Sequence, residues 1–191
     1  MMKMKSERIE KVFDILAGNS GLTEEFLYEN QPISDEDKIS ILSSATEKAN
    51  LMGFISRNAK LNGKALKIFK GPCVLIARNG YAGTMTYIES MEFTANDHAY
   101  VLIPKKEWKD AVDLRWFVYQ YQELFYRLVT SKSDNATFNK EYAERQIVKL
   151  PKIDEQERIS NKLREVDKTI QNFEYAIEAL ERISKNTTMT L

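Results

Sequence analysis

The sequence predicts an α+β fold: one domain with a mixed or antiparallel sheet and flanking helices, followed by a long C-terminal coiled-coil helix. Three observations lead there. Short apolar, β-branched runs broken by Gly, Pro, Asn and Asp fill residues 67–104, the pattern of strands joined by turns. DAVDLRWFVYQYQELFYRLVT (residues 110–130) is apolar nearly all round, which predicts a buried or half-buried helix. From Ile159 onward, apolar residues recur alternately four and three positions apart, the coiled-coil period of 3.5.

Taken in order, SERIEKVFDILA (6–17) opens the chain as a short helix or strand, and GNSGLT (18–23) breaks it with two glycines. A helix is expected over 23–31, because Thr23 can cap it and Glu24 and Glu25 suit its first turn; Pro32 ends it. DKISILSS (37–44) alternates and is β-branched, so a strand is expected. ATEKANLMGFISRNAKLNGKA (45–65) reads as loop. KIF, CVLIAR, GTMTYIE and HAYVLIP read as strands, separated by GP, NGYAG and FTAND. Gly80 and Gly83 suit a tight hairpin turn. SKSDNATFN (131–139) reads as loop and AERQIVKLP (143–151) as a last strand. The final helix is expected from Asp154 to about Lys185, with Asp154 as cap and Glu155 and Glu157 in its first turn. The expected organisation is a domain over 1–152, a coiled-coil helix over 153–186 and a tail over 187–191.

Composition excludes several classes. With 43% hydrophobic and 29% charged residues and little Gly or Pro, the chain is not of the disordered kind. A single cysteine, Cys73, rules out an internal disulfide and a multi-cysteine metal site; in the apolar run CVLIA it reads as a buried thiol. The opening MMKMKSERIEKVF lacks the apolar core of a signal peptide. No apolar stretch reaches the ~20 residues of a membrane helix. A cytoplasmic protein is expected.

Net charge is zero, but it is segregated. From Lys48 to Ile88 there is no acidic residue, while Lys48, Arg57, Lys60, Lys64, Lys67, Lys70 and Arg78 are basic. The first 47 residues carry ten acids against five bases. A patch of this kind is where a phosphate backbone would lie; a solvated basic face is the alternative.

The stripe runs through Ile159, Leu163, Val166, Ile170, Phe173, Ile177 and Leu180, with Arg158, Lys162, Arg164, Glu165, Lys168, Glu174 and Glu178 around it. A helix packed on its own domain usually shows a wider apolar face. At 1.5 Å per residue the helix forms a rod of roughly 48 Å, against roughly 30–35 Å for a compact domain of this size. The rod should protrude and pair, and a second copy of the chain is the simplest partner.

Three stretches together resemble the specificity subunits of type I restriction–modification enzymes. LPKIDEQERISNKLREVDKTI (150–170) is similar to that family's strand–Pro–helix junction, through Pro151, Ile153, Glu155, Gln156, Ile159, Leu163 and Asp167. CVLIARNGYAGTMTYI (73–88) is similar to its strand–Arg–x–Gly–x–x–Gly–strand, and FDILAGNSGLT (13–23) to its opening strand and glycine-bearing loop. The resemblance implies a non-catalytic subunit that reads double-stranded DNA and carries a DNA methyltransferase (M) subunit, with or without a restriction (R) subunit. In that family a subunit has two recognition domains, each reading one half of a bipartite site, and two long helices that pair antiparallel as a spacer. This chain departs from the pattern with one domain and one helix, which implies a homodimer reading an inverted repeat; a rod of roughly 48 Å exceeds one DNA turn of ~34–36 Å, so several unread base pairs should separate the half-sites.

Phosphate contacts are then expected from Arg57, Lys60, Lys64, Lys67 and Lys70, and from Asn19, Ser20 and Thr23 in GNSGLT. Arg78 and Asn79 are of types that pair with guanine and adenine, and Tyr81 could pack on sugar or base. Gly80 and Gly83 would admit close backbone approach. Ordinary turns and caps are the alternative for both loops. TANDHAY holds Asn96, Asp97 and the only histidine, His98; a turn entering a strand is the plainer reading. The aromatic run from Trp116 to Tyr126 reads as core or as a methyltransferase-docking surface. No Walker, GxSxG, HExxH or CxxC motif occurs, so no catalytic residue, metal or cofactor is expected. Two alternatives keep the same architecture: a coiled-coil scaffold that no longer reads DNA, or a silent or truncated specificity cassette.

Overall fold

The computed structural model describes residues 4–43, 50–130 and 136–188. The chain opens with β1 (Lys5–Arg8), a single turn α1 (Ile9–Val12) and β2 (Phe13–Ala17), followed by α2 (Glu24–Glu29), β3 (Lys38–Ser43) and β4 (Asn50–Ser56). Short strands β5 (Lys60–Leu61), β6 (Lys64–Ala65) and β7 (Phe69–Lys70) lead to β8 (Cys73–Ala77), β9 (Met85–Ile88), β10 (Glu92–Ala95) and β11 (Ala99–Pro104). A 3₁₀ turn (Lys106–Trp108) precedes α3 (Leu114–Tyr126), α4 (Lys140–Arg145), β12 (Ile147–Leu150) and α5 (Ile153–Thr188).

The strands form two four-stranded sheets. One has the order β2-β11-β8-β9 and is antiparallel throughout. The other has the order β4-β3-β10-β7, in which β3 and β10 run parallel. The expected mixed and antiparallel α+β architecture is what the chain adopts. Two ribbons stand apart: β5–β6, and β1–β12, in which Lys5 pairs with Leu150 and Arg8 with Ile147. The second ribbon ties the start of the chain to the strand that feeds α5.

Burial follows the sheets. The largest apolar cluster packs Phe13, Val74, Ile76 and Leu102 of the first sheet against Trp116, Phe117 and Phe125 of α3, with Phe138 and Ala143 closing it. Between the sheets lie Leu42, Phe69, Cys73, Leu75, Phe93 and Val101. A third cluster, Leu22, Ile39, Ile41, Ile55, Ala59 and Leu66, supports α2 and the β5–β6 ribbon. The strand β8 is buried along its whole length because both faces are covered.

Several expectations are corrected. Of the segment read as loop, residues 50–56 form a strand and Lys60–Ala65 a hairpin; its residues 45–49, with Lys48, lie outside the described residues. Gly53 lies inside that strand. It sits where the β3–β4 register shifts between Ile41 and Leu42, with φ 151°, and such a bulge accepts glycine. FTAND is not a spacer: Phe93, Thr94 and Ala95 belong to β10, an inner strand paired on both sides, where partners rather than propensity fix the conformation. The helix expected over 110–130 spans only Leu114–Tyr126, since Asp113 caps it by accepting from the Arg115 and Trp116 N–H groups. Residues 143–145 complete α4 rather than starting a strand. The last helix begins at Ile153, so Asp154 lies in its first turn instead of capping it. The region left open as helix or strand (6–17) is strand, one helical turn and strand. The expected Thr23 cap is present, its Oγ1 accepting from the Phe26 N–H at 3.2 Å.

Candidate nucleic-acid interface

Sheet register determines which candidate residues can act together. Ala17 at the end of β2 faces Tyr100, and Ala77 at the end of β8 faces Ala99 at the start of β11. GNSG, RNGYAG and the Asn96–His98 turn therefore emerge from one end of the first sheet. Backbone bonds seal them together: Gly18 N–H to Ala99 O at 3.1 Å, Asn19 N–H to Ala95 O at 2.7 Å, and Arg78 N–H to His98 O at 2.9 Å. A Cβ on Gly18 would lie 2.0 Å from the Asn96 carbonyl oxygen, so this junction requires glycine.

Asn19 is buried, and its side chain is turned inward. Its Nδ2 donates to Thr94 Oγ1 at 2.8 Å and to the Lys67 carbonyl at 3.2 Å, while its Oδ1 accepts from the Lys67 N–H at 3.0 Å. It fixes the segment carrying Lys67 against the end of β2. The Lys67 ammonium donates to the Ala17 and Gly18 carbonyls at 3.0 and 3.1 Å, which holds an exposed cation at a set position. Ser20, next to Asn19 in the chain, is exposed. Thr23 is also exposed, though its hydroxyl oxygen serves the α2 cap.

At the same end, Arg78 Nη1 donates to the Asp97 carbonyl at 3.3 Å and its guanidinium lies 5.7 Å from the Tyr100 ring centre. Its Nε is buried without a hydrogen-bond partner. Asn79 Nδ2 lies 3.0 Å from His98 Nδ1, and Asn79 Oδ1 accepts from Thr137 Oγ1 at 3.3 Å. The fold puts His98 in contact with Asn79, a pairing nineteen residues apart that no local sequence signal announces. Tyr81 is 52% exposed at the loop tip. Gly83 faces inward: with φ +85°, a Cβ there would lie 2.5 Å from the Phe125 carbonyl oxygen. Its close approach is to α3.

The remaining cations divide. Lys60 and Lys64 are exposed on the β5–β6 hairpin. Arg57 and Lys70 lie toward the other end of the second sheet and share Glu92, at 2.9 and 3.7 Å. The Arg57 hydrogen bond, aided by both positive charges, holds the Glu92 carboxyl below the usual range. A carboxylate from outside the acid-free window thus partly neutralises it, which the linear charge pattern hides.

The stripe on α5 also divides. Ile159 packs on the main cluster and Leu163 is half-buried. Gln156 and Ser160 are buried against the α3 start, and the Tyr119 hydroxyl donates to the Asp167 carboxylate. From Arg164 to Arg182 every residue is exposed. Val166, Ile170, Phe173, Ile177 and Leu180 are each at least 50% exposed. The whole helix, 36 residues long, spans about 54 Å.

Among the described residues no group of His, Cys, Asp and Glu could hold a metal, and no helix is long and apolar enough to cross a membrane.

Comparisons with known proteins bear on the family and the fold. A family model described as "Type I restriction modification DNA specificity domain" matches residues 1–182. A search of curated proteins finds no match. Among solved structures, one chain from work on complex assembly and conformational transition of the type I R-M system is 16% identical, with a TM-score of 0.66, over 91% of this chain and 40% of that one. The type I restriction–modification S subunit from M. genitalium is 15% identical, with a TM-score of 0.59, over 90% of this chain and 41% of its own. The HsdS subunit from Thermoanaerobacter tengcongensis is 14% identical, with a TM-score of 0.61, over 91% and 39%. The chain therefore spans about two-fifths of the length of these structures.

Proposed function

We propose, since this chain belongs to the type I restriction modification DNA specificity domain family, that it is the non-catalytic DNA-reading subunit of a cytoplasmic restriction–modification complex, in which each chain reads half of a bipartite site. Residues 1–152 act as the target-recognition domain, and residues 153–186 form the spacer and dimerisation helix. The end of the first sheet, with Ser20, Lys67, Arg78, Asn79 and Tyr81, faces duplex DNA. Lys60 and Lys64 extend the phosphate-contacting surface, and Asn19 positions Lys67. Arg57 and Lys70 contribute where DNA competes with Glu92 for them.

The observation that carries the half-site reading is the bare apolar stripe from Val166 to Leu180. An apolar seam on a protruding helix is unfavourable in water, and a seam of period 3.5 fits another helix of the same kind. Pairing two copies through it sets two recognition domains about a two-fold axis, so the site is an inverted repeat. Methyltransferase subunits, with or without a restriction subunit, dock on this dimer and supply the chemistry.

The test is selection of binding sites by the full chain from duplexes with a randomised core. An enriched motif of two inverted half-sites separated by unread base pairs is the expected result. Enrichment of a single asymmetric half-site, or of none, contradicts it.

A further inference from the structure

We propose that the β5–β6 hairpin is a finger that enters the major groove tip first, with Asn62 reading a base edge, an inference that rests on the DNA-reading function proposed above. The two residues between the strands, Asn62 and Gly63, have φ of 52° and 76°. Positive φ at both positions is the geometry of the tight type I′ hairpin, for which Asn-Gly is the preferred pair.

The hairpin has a fixed base and a free tip. Ala59 and Leu66 on either side of it are buried in the cluster with Ile39, Ile41 and Ile55. Leu61 packs on that cluster and against Gly21, where a Cβ would lie 3.4 Å from Leu61 Cδ1. The loop carrying Ser20 therefore borders the Leu61 face of the finger. Asn62, Gly63, Lys64 and Ala65 are all exposed.

Pairing puts the two lysines on opposite faces. Lys60 faces Ala65, and Leu61 faces Lys64; adjacent pairs in a ribbon project to opposite sides. The major groove, about 12 Å wide, admits a two-stranded ribbon. The face shared by Leu61 and Lys64 is held against the domain, so a hairpin entering tip first presents Asn62 and Gly63 to the groove, with Lys60 on its free face and the exposed Lys64 at its edge to reach phosphates. The tip meets the base edges, and an asparagine amide there can donate to and accept from adenine in a bidentate pair. No acidic residue lies in this segment to repel the backbone.

Asn62 also suits the turn itself, and two variants separate the roles. Asn62→Gly and Asn62→Asp both keep residues compatible with the turn while removing the amide. In the binding-site selection, wild type and both variants are compared as full chains on the same randomised duplexes. We expect both variants to lose base preference at a defined position of each half-site, with about tenfold or weaker binding to the wild-type motif, the range of one bidentate contact. Lys60→Gln with Lys64→Gln should weaken binding to all sequences alike and reduce the salt slope by about 1.8. Variants at Asn62 that select the wild-type motif unchanged overturn the finger while leaving the DNA-reading function standing. A wild-type chain that enriches no motif overturns that function, and the finger with it.

Discussion

Gln156, fully buried near the start of α5, joins the long helix to the start of α3: its Oε1 accepts from the Asp113 N–H at 3.0 Å. Its Nε2 donates to the Ala111 and Pro151 carbonyls at 3.1 and 2.8 Å. Asp113 in turn caps α3 through Oδ1 and accepts from Ser160 Oγ through Oδ2 at 2.6 Å. One polar knot thus fixes the angle at which α5 leaves the domain. Gln156→Ala leaves a buried N–H and two carbonyls without this partner, at a cost of about 1–3 kcal/mol. Urea unfolding should show the loss as a lower midpoint, with Ser160→Ala the milder change.

The RNGYAG loop is shaped by α3. Gly83→Ala meets both a positive φ and the Phe125 carbonyl, and should destabilise the fold by about 1–3 kcal/mol. Thermal unfolding reads this directly, and an unchanged midpoint would mean the loop is not held against the end of α3.

The Tyr119 phenol is pushed up to about 12, first by burial and then by its hydrogen bond to Asp167. An unfolded tyrosine titrates near 10. Between those values the unfolded chain gives up a proton that the folded chain keeps, so stability present below pH 10 is lost as pH rises toward 12. Tyr119→Phe should flatten that part of the alkaline slope in urea unfolding measured across this range. Tyr87 and Tyr121, also raised by burial, keep a residual slope in the variant.

Cys73 lies between the two sheets with no exposed surface, and burial pushes its thiol up to about 12. Neither access nor thiolate is available near pH 8. A thiol reagent should leave the native protein untouched and label one cysteine per chain after denaturation. Rapid native labelling would show that the sheets separate.

Where periodicity or capping is local, the sequence is readable. CVLIA, HAYVLIP and the α5 stripe declare themselves by run length and spacing, and Thr23 by its place before two glutamates. β4 and β10 do not, because a bulge at Gly53 and partners on both flanks of Phe93–Ala95 come from distant segments. The candidate interface follows the same division. Residue types in GNSGLT and RNGYAG could be picked from sequence. Their convergence through Asn19, Lys67 and His98, and the pairing of Arg57 and Lys70 with Glu92, depend on contacts spanning nineteen to seventy-five residues or crossing between strands. Gln156 stands inside the junction LPKIDEQERI, but only the fold shows which helix it ties down.

Two copies are proposed to pair through the outer half of α5. Light scattering on the purified chain tests this pairing most directly. The expected mass is twice the 22.2 kDa of one chain, falling to the single mass in Ile170→Asp and Phe173→Asp variants whose domain still unfolds at the wild-type midpoint. A wild-type chain that stays at 22.2 kDa as concentration is raised, or variants that remain dimeric, would contradict it.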